Sequence, residues 1–278
     1  MRLTTIRITP DRTTAARIDG KHLTLLPHPD VGALIASGTD WARRAAAHTG
    51  ERLPLAPTTT ELPPLVPGRV VRVGPNHPTR LRELDRQRPA APSLSVVRPH
   101  TVAGARATVP LPAAPRGLGW GVELGVVVAR RAHRVPAAEA LRHVAGYVVV
   151  THLHALDDPA EPLGPDGPGS VLLLGPELVT PEHLPVGARG LTLTAALDGR
   201  PVQKANTSDL LVDVATLLAH AGDLTPLEPG DLITTGTPGG TLAHPLGSGH
   251  HLHVAAKALG AIDHLITATR PNTHPPTP

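Results

Sequence analysis

Glycine and proline punctuate this 278-residue chain from end to end, 27 of one and 33 of the other. Proline removes a backbone donor and glycine weakens regular structure, so long helices have little room between them. What stands between the breaks is a series of short apolar, β-branched runs bounded by turn residues, which predicts an α+β fold that is mostly β. Hydrophobic residues make up 40% of the chain, enough for a large core. Aromatic residues are nearly missing: Trp41, Trp120, Tyr147 and no Phe. The core must therefore be built from Leu, Val, Ala and Ile.

Residues 1–66 read as a small N-terminal α/β unit. Met1–Thr9 alternates apolar and polar residues as an edge strand does. Ala15–Ile18 and His22–Leu26 flank Asp19-Gly20, a hairpin signal. Short helices are predicted at Val31–Ser37 and Trp41–His48, and the proline-rich Leu53–Gly68 reads as a linker. The main domain runs over 67–270. Strands are predicted at Val70–Val73, Val122–Val128, Val148–Leu153, Leu191–Leu197, Pro201–Gln203, Leu232–Thr235, Leu252–Ala256 and Ile262–Ala268. Asp198-Gly199 marks a second hairpin. Helices are predicted at Thr79–Arg88, Pro136–Val144 and Val212–His220. Residues 271–278 read as a frayed tail.

Charge and composition narrow the partners. The net charge of +3 comes from scattered arginines, with no basic run and almost no aromatic platform for bases, so nucleic-acid binding is not expected. No apolar stretch reaches about 18 residues and no signal-peptide core stands at the start, so no membrane association is expected. The chain has no cysteine, which fits a cytoplasmic location. The expected partner is a small-molecule substrate.

Four segments, in order, resemble the fumarylacetoacetate hydrolase superfamily. They are V-G-P-N-H (Val73–His77), V-E-L-G-V-V-V (Val122–Val128) with E-A-L-R-H-V-A-G-Y (Glu139–Tyr147), L-D-G-R-P-V-Q-K-A-N-T-S (Leu197–Ser208), and L-E-P-G-D-L-I-T-T-G-T-P-G-G (Leu227–Gly240). The family's counterparts include V-G-x-N-Y and N-G-x-x-x-Q-x-x-N-T. The resemblance covers roughly residues 69–265. It implies a mixed β-roll with a pseudo-sandwich core, assembled as a homodimer. It also implies chemistry on 2-oxo acids and β-dicarbonyls, with Mg²⁺ or another divalent metal as the Lewis acid that stabilises an enolate.

The metal positions depart from that pattern. The family places two carboxylates at E-x-E, alternate strand residues that point the same way, and a later Asp. Here the pair aligns with Gly121 and Glu123, and the Asp of N-D-x-S-A-R-D aligns with His152 in T-H-L-H-A-L-D. The Ser aligns with His154 and the Arg with Leu156. Hard cations want several oxygen ligands. Two readings stand. Either the cofactor is lost and Glu123 and His152 pair directly, each favouring the other's charged form, or a transition metal is held by Glu123 and His152 with His154 or His77 joining them.

The catalytic positions depart too. The family's H-x-x-E pair, in which Glu orients a water-activating His, aligns with Arg80 and Glu83. Arginine does not give up its proton and cannot act as a base. The family's Lys would fall near Asp166 and is not matched there. Candidate proton-transfer residues are Glu123, His152, His154 and Glu83. Candidate substrate-binding residues are His77, Arg80, Arg98, Gln203, Gly236 and Thr237. T-G-T-P-G-G would serve equally as a turn, and Gln203 would serve equally to hold the Asp198-Gly199 hairpin.

Three functions follow. The first is a repurposed enzyme, independent of metal, that isomerises, decarboxylates or cyclises an enolisable oxo acid, β-dicarbonyl or polyene in specialised metabolism. The second is a divalent-metal-dependent C–C hydrolase or decarboxylase of 2-oxo acids with a rebuilt site. The third is a non-catalytic binding protein.

Overall fold

The computed structural model describes residues 1–56, 61–99, 101–106, 110–111, 117–156 and 170–268. The predicted tail at 271–278 and the segment around Asp166 lie outside the described residues.

The N-terminal unit contains β1 (Arg2–Thr9), β2 (Arg12–Asp19), β3 (His22–Leu25), α1 (Val31–Ala36), α2 (Trp41–Ala47) and β4 (Arg52–Pro54). Next come β5 (Val70–Val73), α3 (Pro78–Glu83), β6 (Leu94–Val97), β7 (Thr101–Ala103), β8 (Pro110–Leu111), β9 (Leu118–Gly119), β10 (Val122–Val128) and α4 (Ala137–Ala140). The chain continues through β11 (Val144–Ala155), β12 (Val171–Leu174), β13 (Leu178–Val179), β14 (Thr192–Leu197), β15 (Arg200–Asn206) and α5 (Val214–Leu224). It closes with β16 (Leu232–Thr234), β17 (His251–Ala256), β18 (Gly260–Leu265) and β19 (Thr267–Ala268).

The large sheet runs β4-β3-β2-β1-β13-β11-β10-β16-β5-β6, with β12, β7 and β9 attached beside β11. It is mixed: β16–β5 and β12–β7 are parallel pairs, the others antiparallel. A second antiparallel sheet runs β15-β14-β17-β18. The fold is thus α+β and mostly β. No helix among the described residues is long and apolar enough to cross a membrane.

Alternation along β10 explains the layering. Val122, Leu124, Val126 and Val128 join Leu193, Ala195, Leu252 and Val254 in the core between the two sheets. Val127 points the other way, with Val148, Val150, Leu172, Leu232 and Val70, toward Leu34, Ile35 and Trp41 of the two N-terminal helices. All seven β10 residues are buried. At about 25 cal/mol per Å² of apolar area, such two-sided burial is what holds a core without phenylalanine together.

Several predicted elements shift for physical reasons. β1 is not an edge strand: it lies between β2 and β13, with Leu3 registered on both Arg17 and Leu178. The linker is partly packed, since Leu65 is buried and the Pro64 carbonyl accepts hydrogen bonds from the Thr5 hydroxyl and the Val31 N–H. α3 stops at Glu83 because Asp85 turns left-handed, φ 49°. α5 starts later than predicted because Asp213 caps it, accepting from the Thr216 N–H at 2.9 Å. The Asp198-Gly199 hairpin forms as read, both residues at positive φ.

Candidate functional site

Toward one end of the large sheet, the face that carries Val127 and Val150 changes from apolar to polar. The antiparallel register pairs Glu123 with Val150 and Val122 with Thr151, so Gly121 stands opposite His152. Gly119 of β9 pairs with His154. Paired residues share a face, as do residues two apart. Gly119, Gly121, Glu123, His152 and His154 therefore form one patch. Thr234 of β16 and Arg72 of β5 extend it sideways through the β10–β16–β5 pairing.

The two glycines make room for their neighbours. A Cβ on Gly119 would lie 2.4 Å from His154 Nε2, and one on Gly121 would lie 2.0 Å from Thr237 Oγ1. Thr237 thus occupies the volume that a side chain at 121 would need. His154 fills the space above Gly119 and stacks on His152, ring centroids 5.8 Å apart and planes 20° from parallel.

Glu123 is buried and its Oε2 accepts from the Gly236 N–H at 2.7 Å. Burial pushes the carboxyl pKa up, and the Arg72 charge, the Gly236 N–H and the Thr234 hydroxyl offset only part of that rise. The groups that act on Glu123 include Arg72, Gly236 and Thr234, and its charged form is disfavoured. Burial also holds the His154 imidazole down, to about 4, with His152 and Arg72 adding to the effect. His154 is therefore neutral at pH 7, and its Nδ1 has no hydrogen-bond partner among the described residues.

The other candidates separate into braces and outliers. Gln203 Oε1 accepts from the Val122 N–H at 2.9 Å, and Nε2 donates to Thr237 Oγ1 and the Pro238 carbonyl. It ties β15 to β10 and to the Gly236–Gly239 loop, and does not hold the Asp198-Gly199 turn. Glu83 accepts from the Gly240 and Leu242 N–H groups, each at 3.0 Å, and pairs with Arg80 at 2.5 Å. Burial opposes its charge, but these donors win and its pKa is lowered. Glu83 and Arg80 thereby clasp α3 to the loop that carries Gly236 and Thr237. The Arg80 charge also bears on Glu123 and His154. The Gly236 N–H is taken up by Glu123.

His77 precedes α3, fully buried, with neither ring nitrogen hydrogen-bonded among the described residues; burial takes its pKa down to about 4. Arg98 is not brought to the patch. It lines a separate surface depression with Asp30, Arg69 and Asp231.

A narrow crevice of about 10 Å³ lies on the patch, walled by Arg72, His152 and Thr234 with Val70, Val97 and Leu172. Arg72 is 8% exposed. It and Thr234 were missed at the sequence level, although a lone arginine inside the apolar run Val70–Val73 was a readable signal.

The residues present do not fit a hard divalent ion. Glu123 is engaged by Gly236 and Thr234, Thr237 fills the place of the first carboxylate, and a guanidinium bears on the same spot. Nor is the transition-metal alternative assembled: no group of three His, Cys, Asp or Glu side chains able to hold a metal exists among the described residues.

Comparison with known proteins places this geometry. The family described as fumarylacetoacetate (FAA) hydrolase, C-terminal, matches residues 69–267. The mitochondrial oxaloacetate tautomerase FAHD2A of Bos taurus is 30% identical over 206 residues, covering 71% of this chain and 64% of that protein. The crystal structure of an HpcE-like protein from Mycobacterium smegmatis superposes with a TM-score of 0.84 at 28% identity, over 97% of this chain and 100% of that one. Maleylpyruvate hydrolase from Sphingobium sp. SYK-6 shares the fold, with a TM-score of 0.79 at 21% identity over 97% of this chain and 100% of that one. With the family's match running through both sheets and every residue of the patch, the chain belongs to the fumarylacetoacetate hydrolase superfamily.

Proposed function

We propose that this chain is an enzyme that moves a proton on a small enolisable 2-oxo acid, a tautomerisation or isomerisation, without using a divalent ion. The observation that carries the reading is the pocket wall itself: the His152 imidazole opens on the cavity beside Thr234 and Arg72. In this reaction His152 takes the proton from the carbon next to the carbonyl and returns it to the oxygen or to another carbon. No atom is gained or lost. An imidazole suits both halves of the transfer near neutral pH.

Two further observations support this choice within the family. Arg80, at the position of the water-activating base, is bound to Glu83 and cannot accept a proton, which disfavours hydrolysis. The relative named oxaloacetate tautomerase is consistent with this substrate class.

The test follows keto–enol interconversion of short 2-oxo acids by ultraviolet absorbance in chelator-treated buffer. His152→Gln is expected to lower the rate by roughly 10²–10⁴-fold, the usual worth of a positioned acid–base group. A stoichiometric divalent ion that disappears with Glu123→Ala would instead establish a rebuilt metal site. Equal rates in wild type, His152→Ala and Glu123→Ala would favour a binding protein.

A further inference from the structure

We infer that Arg72 takes the place of the family's metal ion as the built-in counter-charge of Glu123. The inference grows from the misfit between these residues and a divalent ion. It rests on the metal-free part of the proposed function and not on its proton-transfer part.

Three strands bring the two groups together. β5 runs parallel to β16, with Val70 registered on Leu232 and Val71 on Ile233, so Arg72 lies beside Thr234. Thr234 pairs in turn with Gly125 of β10, and Glu123 stands two residues along β10 on the same face. Arg72 and Glu123 are buried to the same depth, each 8% exposed. A charge at that depth is costly unless an opposite charge compensates it. Burial disfavours the Glu123 carboxylate. Of the groups that favour it, the Arg72 charge acts most strongly, ahead of the Gly236 N–H and the Thr234 hydroxyl. Arg80 acts more weakly still, and its guanidinium is paired with Glu83.

A divalent ion in such a site neutralises buried carboxylate and ties together the strands that supply it. A guanidinium carried on β5 does both and cannot dissociate. It keeps its proton at every accessible pH, so the compensation is permanent. Glu123 is thereby committed to bracing: its Oε2 holds the Gly236 N–H at 2.7 Å while Arg72 balances its charge. Together they join β5 and β10 to the Gly236–Gly239 loop. Arg72 is a positioning residue in this scheme and acts through Glu123. Its place between Val71 and Val73, both buried apolar residues, then has a reason that packing alone does not supply.

A double-variant cycle tests this on the full chain in chelator-treated buffer, by urea unfolding of wild type, Arg72→Met, Glu123→Gln and the two combined. Glutamine keeps an acceptor for the Gly236 N–H, so the cycle reads charge. Removing one member of a buried pair leaves the other uncompensated, whereas replacing both is often neutral. Arg72→Met is expected to lower the folding equilibrium constant at pH 7 by roughly 100- to 1,000-fold. In the Glu123→Gln background the same change is expected to cost at least about tenfold less. Arg72→Lys, which keeps the charge, is expected to recover part of the loss beside Glu123 and none beside Gln. Should Arg72→Met not fold, circular dichroism of the combined variant decides: a folded protein supports the inference, and failure in both backgrounds overturns it. Additive losses, Arg72→Lys no better than Arg72→Met, or a stoichiometric divalent ion in wild type also overturn it. Coupled losses with no turnover of any 2-oxo acid sink the proton-transfer reading alone. Metal-free turnover with additive losses sinks this inference alone.

Discussion

Gly121→Ala isolates the step by which this site departs from its family. The new Cβ would lie 2.0 Å from Thr237 Oγ1, 2.9 Å from its Cβ and 3.3 Å from its Cγ2. Rotating the Thr237 side chain only exchanges the hydroxyl for the methyl, and the Cβ contact stays too short. Thr237 Oγ1 also accepts from Gln203 Nε2 at 3.1 Å, and the adjacent Gly236 N–H holds Glu123. The loop must therefore move as a unit or β10 must bend. Overpacking of this kind costs about 1–3 kcal/mol, and losing the Gln203 bond adds about 1 kcal/mol. Replacing glycine returns about 0.4–1 kcal/mol through the unfolded chain, leaving a net loss of about 1–3.5 kcal/mol. Thr237→Gly removes all three offending atoms, so in that background Gly121→Ala should cost almost nothing. Urea unfolding of the four proteins, with midpoints compared at constant slope, gives the coupling. Additive losses in the double variant, or a single Gly121→Ala within about 0.5 kcal/mol of wild type, would refute the claim that Thr237 occupies this space.

Gln203→Ala leaves the Val122 N–H and the Pro238 carbonyl without a buried partner and should cost about 2–4 kcal/mol in the same assay. His77 has a folded-state pKa near 4, below the unfolded value of about 6.5. Its contribution is therefore complete above about pH 6.5 and is lost as the pH falls toward 4, by up to about 3 kcal/mol; His77→Leu should flatten that part of the stability profile. Millimolar Mg²⁺ should leave the thermal midpoint unchanged, whereas an ion at 100 times its Kd would add about 2.7 kcal/mol.

Local pattern made some of this legible. Val70–Val73 and Val122–Val128 were readable with their bounds because each is a short valine-rich run broken by a single charged residue. The inward position of β1 was not, because its outer partner β13 lies far along the chain and pairs through only two residues. Likewise, the grouping of Glu123 with His152 and His154 follows from period-two alternation. The bracing roles of Gln203 and Glu83 do not, since their partners are backbone groups of a loop whose path no sequence pattern reveals. Arg98 shows the same limit from the other side. Its neighbour Val97 faces the His152 pocket, but alternation turns Arg98 away.

The departures at 121 and 152 are best understood together with Arg72 and Thr237 beside them. Three buried carboxylates without an ion would repel one another at low dielectric, and an ion beside a buried guanidinium would meet like charge. A site of this kind cannot exchange its cation one residue at a time. Removing the carboxylate at 121 opens the space that Thr237 fills, and neutralising position 152 leaves Glu123 alone. A lone buried carboxylate is costly unless a donor set reaches it, and Gly236, Thr234 and Arg72 supply that set. The same logic fixes what a reversal requires. His152→Asp by itself would place a second carboxylate near Glu123, raise both pKa values and bind no ion. Restoring an ion site needs the arginine removed and the Thr237 side chain displaced along with the two carboxylates returned.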